Sequence, residues 1–325
     1  MKFASIGECM IEISVLPDGS ALKSFGGDTL NTAVYLSRLG LPVEYVTALG
    51  QDPYSTEMLD AWKSEAVGIE LVSRRADRVP GLYMINTDDA GERSFHYWRD
   101  QAPAREVFDG DEGAKLADTL AGFDGLYFSG ITLSILSDQG RSNLRRAALA
   151  VRAAGGHVIF DGNFRPRGWP DRQCAREIFE SFLPTLSLAL PTLDDEQDLR
   201  QDPALDAHLV ADLYLTAGVD EVVVKQGPKG ALFATRGTGA TSETRGLVPV
   251  AQEIKPVDTT AAGDSFNAGY IKARLDGRDP VAAASQGHRL AAAVIGVRGA
   301  IIPQSAMPIK SAMPVRFATA GKTPA

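Results

Sequence analysis

Short apolar runs alternating with amphipathic stretches most narrow the folds open to this 325-residue chain. Runs of strand length occur at 2–6, 43–48, 125–128, 157–160, 186–190 and 221–224. Between several of them lie stretches of helix length with apolar residues recurring on one face, at 29–39, 54–66, 138–154, 174–183 and 205–217. Strands that are apolar throughout and separated by helices belong to a parallel sheet covered on both faces. The spacing predicts one three-layer α/β domain, without internal repeats or a low-complexity linker.

The alternation breaks at 79–99. Two strand-like segments, 81–86 and 93–98, flank Asp88-Asp89-Ala90-Gly91, and an Asp/Gly connection of this kind predicts a hairpin. Ile11, Ile13 and Val15 alternate with Glu12 and Ser14, which supplies a further strand to the same small sheet. Such a hairpin could sit at the edge of the main sheet. Its polar-aromatic face reads instead as a lid, built from about 9–27 and 79–101. In the run Arg93 to Arg99, a period of two puts Phe95, Tyr97 and Arg99 on one side. A phenol beside a guanidinium suits a planar, oxygen-rich anion; a surface strand with a packed Tyr and a solvated Arg carries the same pattern. After Ile302, Pro303, Pro308 and Pro314 interrupt any long element, and 311–325 is expected to be a tail outside the domain at 1–310.

Chemistry is concentrated in Asp258-Thr259-Thr260-Ala261-Ala262-Gly263-Asp264-Ser265-Phe266. Small residues leave a bare backbone before an amphipathic stretch, 266–275, that reads as a helix. Amides at a helix start lack internal partners and attract anions, and small side chains let a phosphate approach. Asp264 beside such a cradle is either a helix cap or a base that takes a proton from a nucleophile. Three other places carry polar content. Gly26-Gly27-Asp28-Thr29-Leu30-Asn31 ends a strand and starts a helix. Asp161-Gly162-Asn163-Phe164-Arg165-Pro166-Arg167 follows the 157–160 strand, where ligands of α/β sheets bind. Lys225-Gln226-Gly227-Pro228-Lys229-Gly230 runs from a strand into a turn; no GxxxxGK[ST] loop is present, which argues against a P-loop kinase.

The Asp258 to Phe266 run resembles the C-terminal signature of the PfkB family of carbohydrate kinases, which includes ribokinase, and the likeness extends over about 2–303. That resemblance implies a ribokinase-like three-layer αβα sandwich with a small β-sheet lid, and ATP-dependent phosphorylation of a sugar hydroxyl. It implies Asp264 as base, Ala261, Ala262 and Gly263 as anion hole, and Arg165 facing both the substrate acid and the transferred phosphoryl group. Gly27, Asp28 and Asn31 match the family's sugar motif. Asn163, Lys225, Gly227, Gly230 and Asp258 fall on the nucleotide side, with His288, on the 280–295 helix, beside the adenine. The stretch Glu92 to Arg105 resembles the branch that takes 2-keto-3-deoxy sugar acids, which implies Tyr83, Tyr97 and Arg99 as contacts to the acid and phosphorylation at its terminal hydroxyl. Where many relatives carry Asn-X-X-Glu, this chain has Thr192 and Asp195, so the metal ligands are left open: Asp195 or Glu196 can meet Mg²⁺ through water, and acids there also suit a helix start. ATP and Mg²⁺ are the implied cofactors, and a monovalent cation is left open.

Bulk properties limit partners and compartment. A charge of −8 and a pI near 5.1 argue against nucleic acid as a partner, yet a few local arginines still serve a small anion. Cys9 and Cys174 form no CxxC pair and read as free thiols. With no apolar run of spanning length, the expectation is a cytoplasmic protein with no membrane partner. Exposed lid edges allow a homo-oligomer. A neutral-sugar kinase such as a fructokinase, or a non-catalytic sugar- or nucleotide-sensing module, are the alternative readings.

Overall fold

The computed structural model describes residues 1–15, 18–87, 93–237, 243–251 and 254–308. Its strands are β1 (Phe3–Ile6), β2 (Met10–Val15), β3 (Ala21–Gly26), β4 (Val43–Gly50), β5 (Val72–Arg75), β6 (Leu82–Thr87), β7 (Arg93–Trp98), β8 (Gly125–Ser129), β9 (His157–Asp161), β10 (Leu188–Ala189), β11 (Glu221–Lys225), β12 (Ala231–Thr235) and β13 (Thr244–Val248). Nine of them form one sheet in the order β13-β12-β11-β10-β9-β8-β1-β4-β5. It is parallel from β5 to β11 and ends in the antiparallel pair β12 and β13.

Alternate residues of the central strands feed two separate cores, which is why these strands are apolar throughout. Leu126, Phe128, Val158, Phe160, Val222 and Val224 enter one core. Tyr127, Ile159 and Val223 enter the other. The first is covered by the helices Gly110–Leu120, Asp138–Ala153, Arg172–Phe182 and Ala207–Thr216, the second by Asp28–Arg38, Pro53–Ser64, Ala262–Leu275 and Pro280–Ile295. Asp52, Asp171, Asp206 and Asp279 cap four of these helices by accepting from backbone N–H groups in the first turn. The expected three-layer αβα sandwich is present.

Three strands escape the sequence pattern. β5, β12 and β13 lie at or next to the sheet edges, where β5 and β13 carry mixed polar and apolar residues. The expected 186–190 strand narrows to the pair Leu188–Ala189. Helix 266–275 begins a turn earlier than expected, at Ala262, so Asp264 lies inside its first turn.

β2, β3, β6 and β7 form a second, four-stranded sheet in the order β3-β2-β6-β7. Both strands of the expected hairpin are therefore present, together with the Ile11–Val15 strand; the turn residues Asp88 to Gly91 lie outside the described residues, as does the expected tail at 311–325. Leu22 and Trp98 are exposed on the two outer strands. Among the described residues, no helix is long and apolar enough to cross a membrane.

Candidate active site

A cavity of about 810 Å³ lies between the small sheet and the C-terminal ends of the main strands. The order of the large sheet explains its place: successive strands run outward from β1 in both directions, and clefts open at the strand ends where order reverses. Glu12, Tyr83, Phe95 and Tyr97 line it from the small sheet; Asp161, which ends β9, and Asn163 and Arg165 beyond it line another side. Lys225 at the end of β11 and the 256–264 segment complete the wall.

The base candidate is well formed. Asp264 Oδ2 accepts from Asn31 Nδ2 at 2.9 Å, and Thr32 Oγ1 donates to the Asp264 carbonyl at 3.3 Å. Burial, reinforced by the charges of Asp28 and Asp161 against the opposing Asn31 and Lys225, pushes the Asp264 carboxyl up to about 8. A carboxyl raised so far takes a proton readily near neutral pH. Gly27 contributes through its missing side chain: a Cβ there would come within 2.2 Å of the Glu8 carbonyl, so only glycine lets the chain pass so close.

Beside Asp264 the backbone turns through Ala261, which sits in the left-handed region at φ 59°. Such a conformation strains a residue with a Cβ, and strain of this kind collects at functional loops. Ala262 N–H donates to the Thr259 carbonyl at 3.2 Å. The N–H groups of Gly263 and Asp264 have no backbone acceptor among the described residues, as expected of a helix start, where amides can meet an anion. Asp258 supports this loop: its Oδ1 accepts from Thr260 N–H at 2.9 Å and Thr260 Oγ1 at 2.6 Å, and its Oδ2 from Gly299 N–H at 2.9 Å.

Lys225 is buried at the cavity floor, where Nζ donates to Asp161 Oδ1 at 2.9 Å and Asn267 Oδ1 at 3.1 Å. It lies 3.7 Å from where a Cβ on Gly263 would be, so a cation sits under the anion loop. Asn163, at φ 33°, donates from Nδ2 to Asp28 Oδ2 at 2.7 Å. Burial raises the Asp28 carboxyl above its usual range, with the nearby Asp161 charge adding to the rise and the Asn163 contact opposing it. Arg165 Nη1 donates to the Phe164 carbonyl at 2.6 Å and to Asp195 at 3.1 and 3.2 Å. Arg167 donates to the Phe95 carbonyl at 3.2 Å, which ties the post-β9 loop to the small sheet.

Several expected contacts are not brought to this cavity. Arg99 falls just after β7; its guanidinium stays 6.0 Å from the Tyr97 ring centroid but pairs with the buried Glu8 and is not part of the cavity lining. Glu196 points into the protein, accepting from Tyr214 Oη at 2.6 Å and Arg200 Nε at 3.1 Å; Asp195 is the acid of that pair on the wall. Gly227 and Gly230 form the turn between β11 and β12, off the cavity lining. His288 packs on Phe266 with ring centroids 5.1 Å apart, and burial lowers its imidazole below the usual value. Conversely, sequence reasoning passed over Asp161, Asn267 and Glu12 as site residues. Asp161 had a visible signal, its place at a strand's C-terminal end; Asn267 and Glu12 had none.

An αβα sandwich with a small sheet over its cleft sets a carboxylate beside bare helix-start amides, an arrangement that suits an anionic ligand. The chain belongs to the pfkB family of carbohydrate kinases, which it matches over residues 2–307. The 2-dehydro-3-deoxygluconokinase of Escherichia coli (strain K12) is 46% identical over 313 residues, spanning 94% of this chain and 99% of that one. A Klebsiella pneumoniae fructokinase is 28% identical over 274 residues, 83% of each chain. Among solved structures, the fructokinase of Xylella fastidiosa with bound ATP superposes with a TM-score of 0.78 at 22% identity, covering 94% of this chain and 95% of that one, a likeness of fold.

Proposed function

We infer that this protein transfers the γ-phosphoryl group of ATP to the terminal hydroxyl of 2-keto-3-deoxy-D-gluconate, yielding 2-keto-3-deoxy-6-phosphogluconate. One observation carries the chemistry: Asp264, held by Asn31 and pushed up to about 8, adjoins the free amides of the anion loop within one cavity. The substrate assignment rests on the 46% identity to the E. coli enzyme, against 28% to a fructokinase.

In this reading the Gly27 backbone, Asp28 and Asn31 hold the sugar hydroxyls, and Tyr83 and Tyr97 close over the sugar from the small sheet, which acts as a lid. Arg165 supplies the guanidinium on the wall for anionic oxygens of the ligands. Asp264 takes the proton from the terminal hydroxyl as it attacks the γ-phosphorus. The Ala261 and Gly263 amides and Lys225 stabilise charge on the transferring group, and the Ala262 amide, already directed at Thr259, contributes least. Asp258 shapes the loop. Lid closure excludes water that would otherwise accept the phosphoryl group.

The residues present suit Mg²⁺. Among the described residues no cluster of three acids, histidines or cysteines stands ready for a metal, and Asp195 is the wall acid paired only with Arg165. A single acid fits an ion held mainly by phosphate and water, and such an ion neutralises phosphate charge when bound. Asp195 would meet it.

A coupled assay of ADP release over 2-keto-3-deoxygluconate, gluconate, fructose and ribose tests the assignment. The expected result is a kcat/KM for the keto acid above the others by on the order of 10²-fold or more. Fructose turned over as well as the keto acid would overturn it, and ligand binding without any turnover would point to a sensing module. Exchanging K⁺ for Na⁺ in the same assay reads any monovalent-cation requirement.

A further inference from the structure

One row of side chains in the small sheet has no part in the transfer itself. Ser24 of β3 pairs with Glu12 of β2, Glu12 with Tyr83 of β6, and Tyr83 with Tyr97 of β7. Residues directly opposite one another share a face of the sheet, and Glu12, Tyr83 and Tyr97 all line the cavity. The Tyr83 hydroxyl donates to Glu12 Oε2, and Ser24 Oγ donates to Glu12 Oε1 at 2.8 Å. Gly26 makes room for this contact: a Cβ there would lie 2.2 Å from Tyr83 Oη. Among the described residues the Tyr97 hydroxyl has no hydrogen-bond partner, whereas that of Tyr83 is engaged.

A phenol has one proton to donate and lone pairs to accept with. The Tyr83 proton is directed at Glu12, so toward the cavity this hydroxyl can only accept. Burial and the adjacent Glu12 charge both raise the Tyr83 phenol above its ordinary range, which keeps the proton in place. Tyr97 keeps its proton available. Of these two neighbours, with ring centroids 5.7 Å apart, only Tyr97 can therefore donate to a ligand.

We propose that Glu12 is a positioning residue for substrate recognition: it fixes Tyr83 as a hydrogen-bond acceptor, so this part of the lid selects a sugar hydroxyl and turns away a carbonyl or carboxylate oxygen. The inference deepens the reading above and rests on it for the identity of the sugar. The keto oxygen is then left to Tyr97, and the negative Glu12 side chain directs the acid end elsewhere.

The test is a kinetic cycle of Glu12→Leu, Glu12→Gln, Tyr83→Phe and the Leu/Phe double variant, run with whichever sugar the wild type turns over best. Glu12→Leu should raise KM about threefold to tenfold, the range for one hydrogen bond, with kcat within about twofold. Glu12→Gln should restore the wild-type KM, because its amide oxygen still accepts from Tyr83. Tyr83→Phe should raise KM by a similar factor, and the double variant should be no worse than Tyr83→Phe alone. Additive losses, an unchanged KM in Glu12→Leu, or a Gln variant as impaired as the Leu variant would each overturn the proposal. Should Glu12→Leu fail to fold, Glu12→Ala takes its place in the cycle. A wild type that prefers fructose would remove the substrate assignment, while the Glu12–Tyr83 coupling would still be read with fructose; no turnover of any sugar would overturn both.

Discussion

The proposed reaction concentrates its chemistry in Asp264, and the environment of that side chain predicts how the protein responds to pH. Burial first, then Asp28, holds its carboxyl up near 8, so the basic form accumulates as pH rises toward that value. In the free protein kcat/KM should climb from about pH 6 and level off above about pH 8. Asp264→Asn should abolish the climb and lower kcat by about 10²–10⁴ while ATP binding persists. A variant with near-normal turnover would remove Asp264 from the reaction. The same shift is linked to stability. An unfolded chain releases this proton near 3.8, whereas the folded protein keeps it to about 8. The native state therefore binds more protons across that window, and its stability falls as pH rises through it. Asp264→Asn should lack this component of the slope, so its Tm should gain on the wild type between about pH 5 and pH 8. Parallel Tm curves would speak against a carboxyl raised by burial.

The helix Ala262–Leu275 carries Asp264, the proposed base, and follows the proposed anion loop, and it packs against Pro280–Ile295. The two approach so closely that a Cβ on Gly269 would lie 2.9 Å from Gly287 Cα and 3.1 Å from the Gln286 carbonyl. Backbone on the far side cannot yield as a flexible side chain would. Gly269→Val should therefore push the helices apart, lowering stability by about 1–3 kcal/mol, read as a fall in Tm. Because Asp264 and the Gly263 amide ride on the same helix, kcat should fall more than KM changes. A variant with wild-type Tm and kcat would show that the crossing tolerates a side chain.

Across the whole molecule, the chain passes between the large and small sheets near Glu8, which follows β1, and near Arg99, which follows β7; these two residues pair at that junction. Glu8 is buried, and burial raises its carboxyl despite the Arg99 charge. Removing one partner of a buried pair leaves the other uncompensated. Arg99→Met should destabilise by about 3 kcal/mol or more, and adding Glu8→Gln should recover much of the loss in thermal unfolding. A rise in KM for the keto acid with unchanged Tm would instead return Arg99 to the role of substrate contact. What the amino-acid order determined alone was whatever depends on local pattern: the parallel strands β1, β4, β8, β9 and β11, apolar because each feeds two cores, most of their helices though not Gly110–Leu120, and the bare segment around Asp264. Edge strands β5 and β13 escaped because an edge needs no continuous apolar run, and β12, apolar and paired on both sides, was passed over behind the turn at Gly227 to Gly230. Tertiary structure alone decided the partners: Asn31 meets Asp264 across 233 positions and Lys225 meets Asp161 across 64, while Arg99 turns to Glu8 instead of the cavity. Periodicity reports which face of an element is buried, but a polar group's partner is set by whichever distant segment folding brings within hydrogen-bond reach.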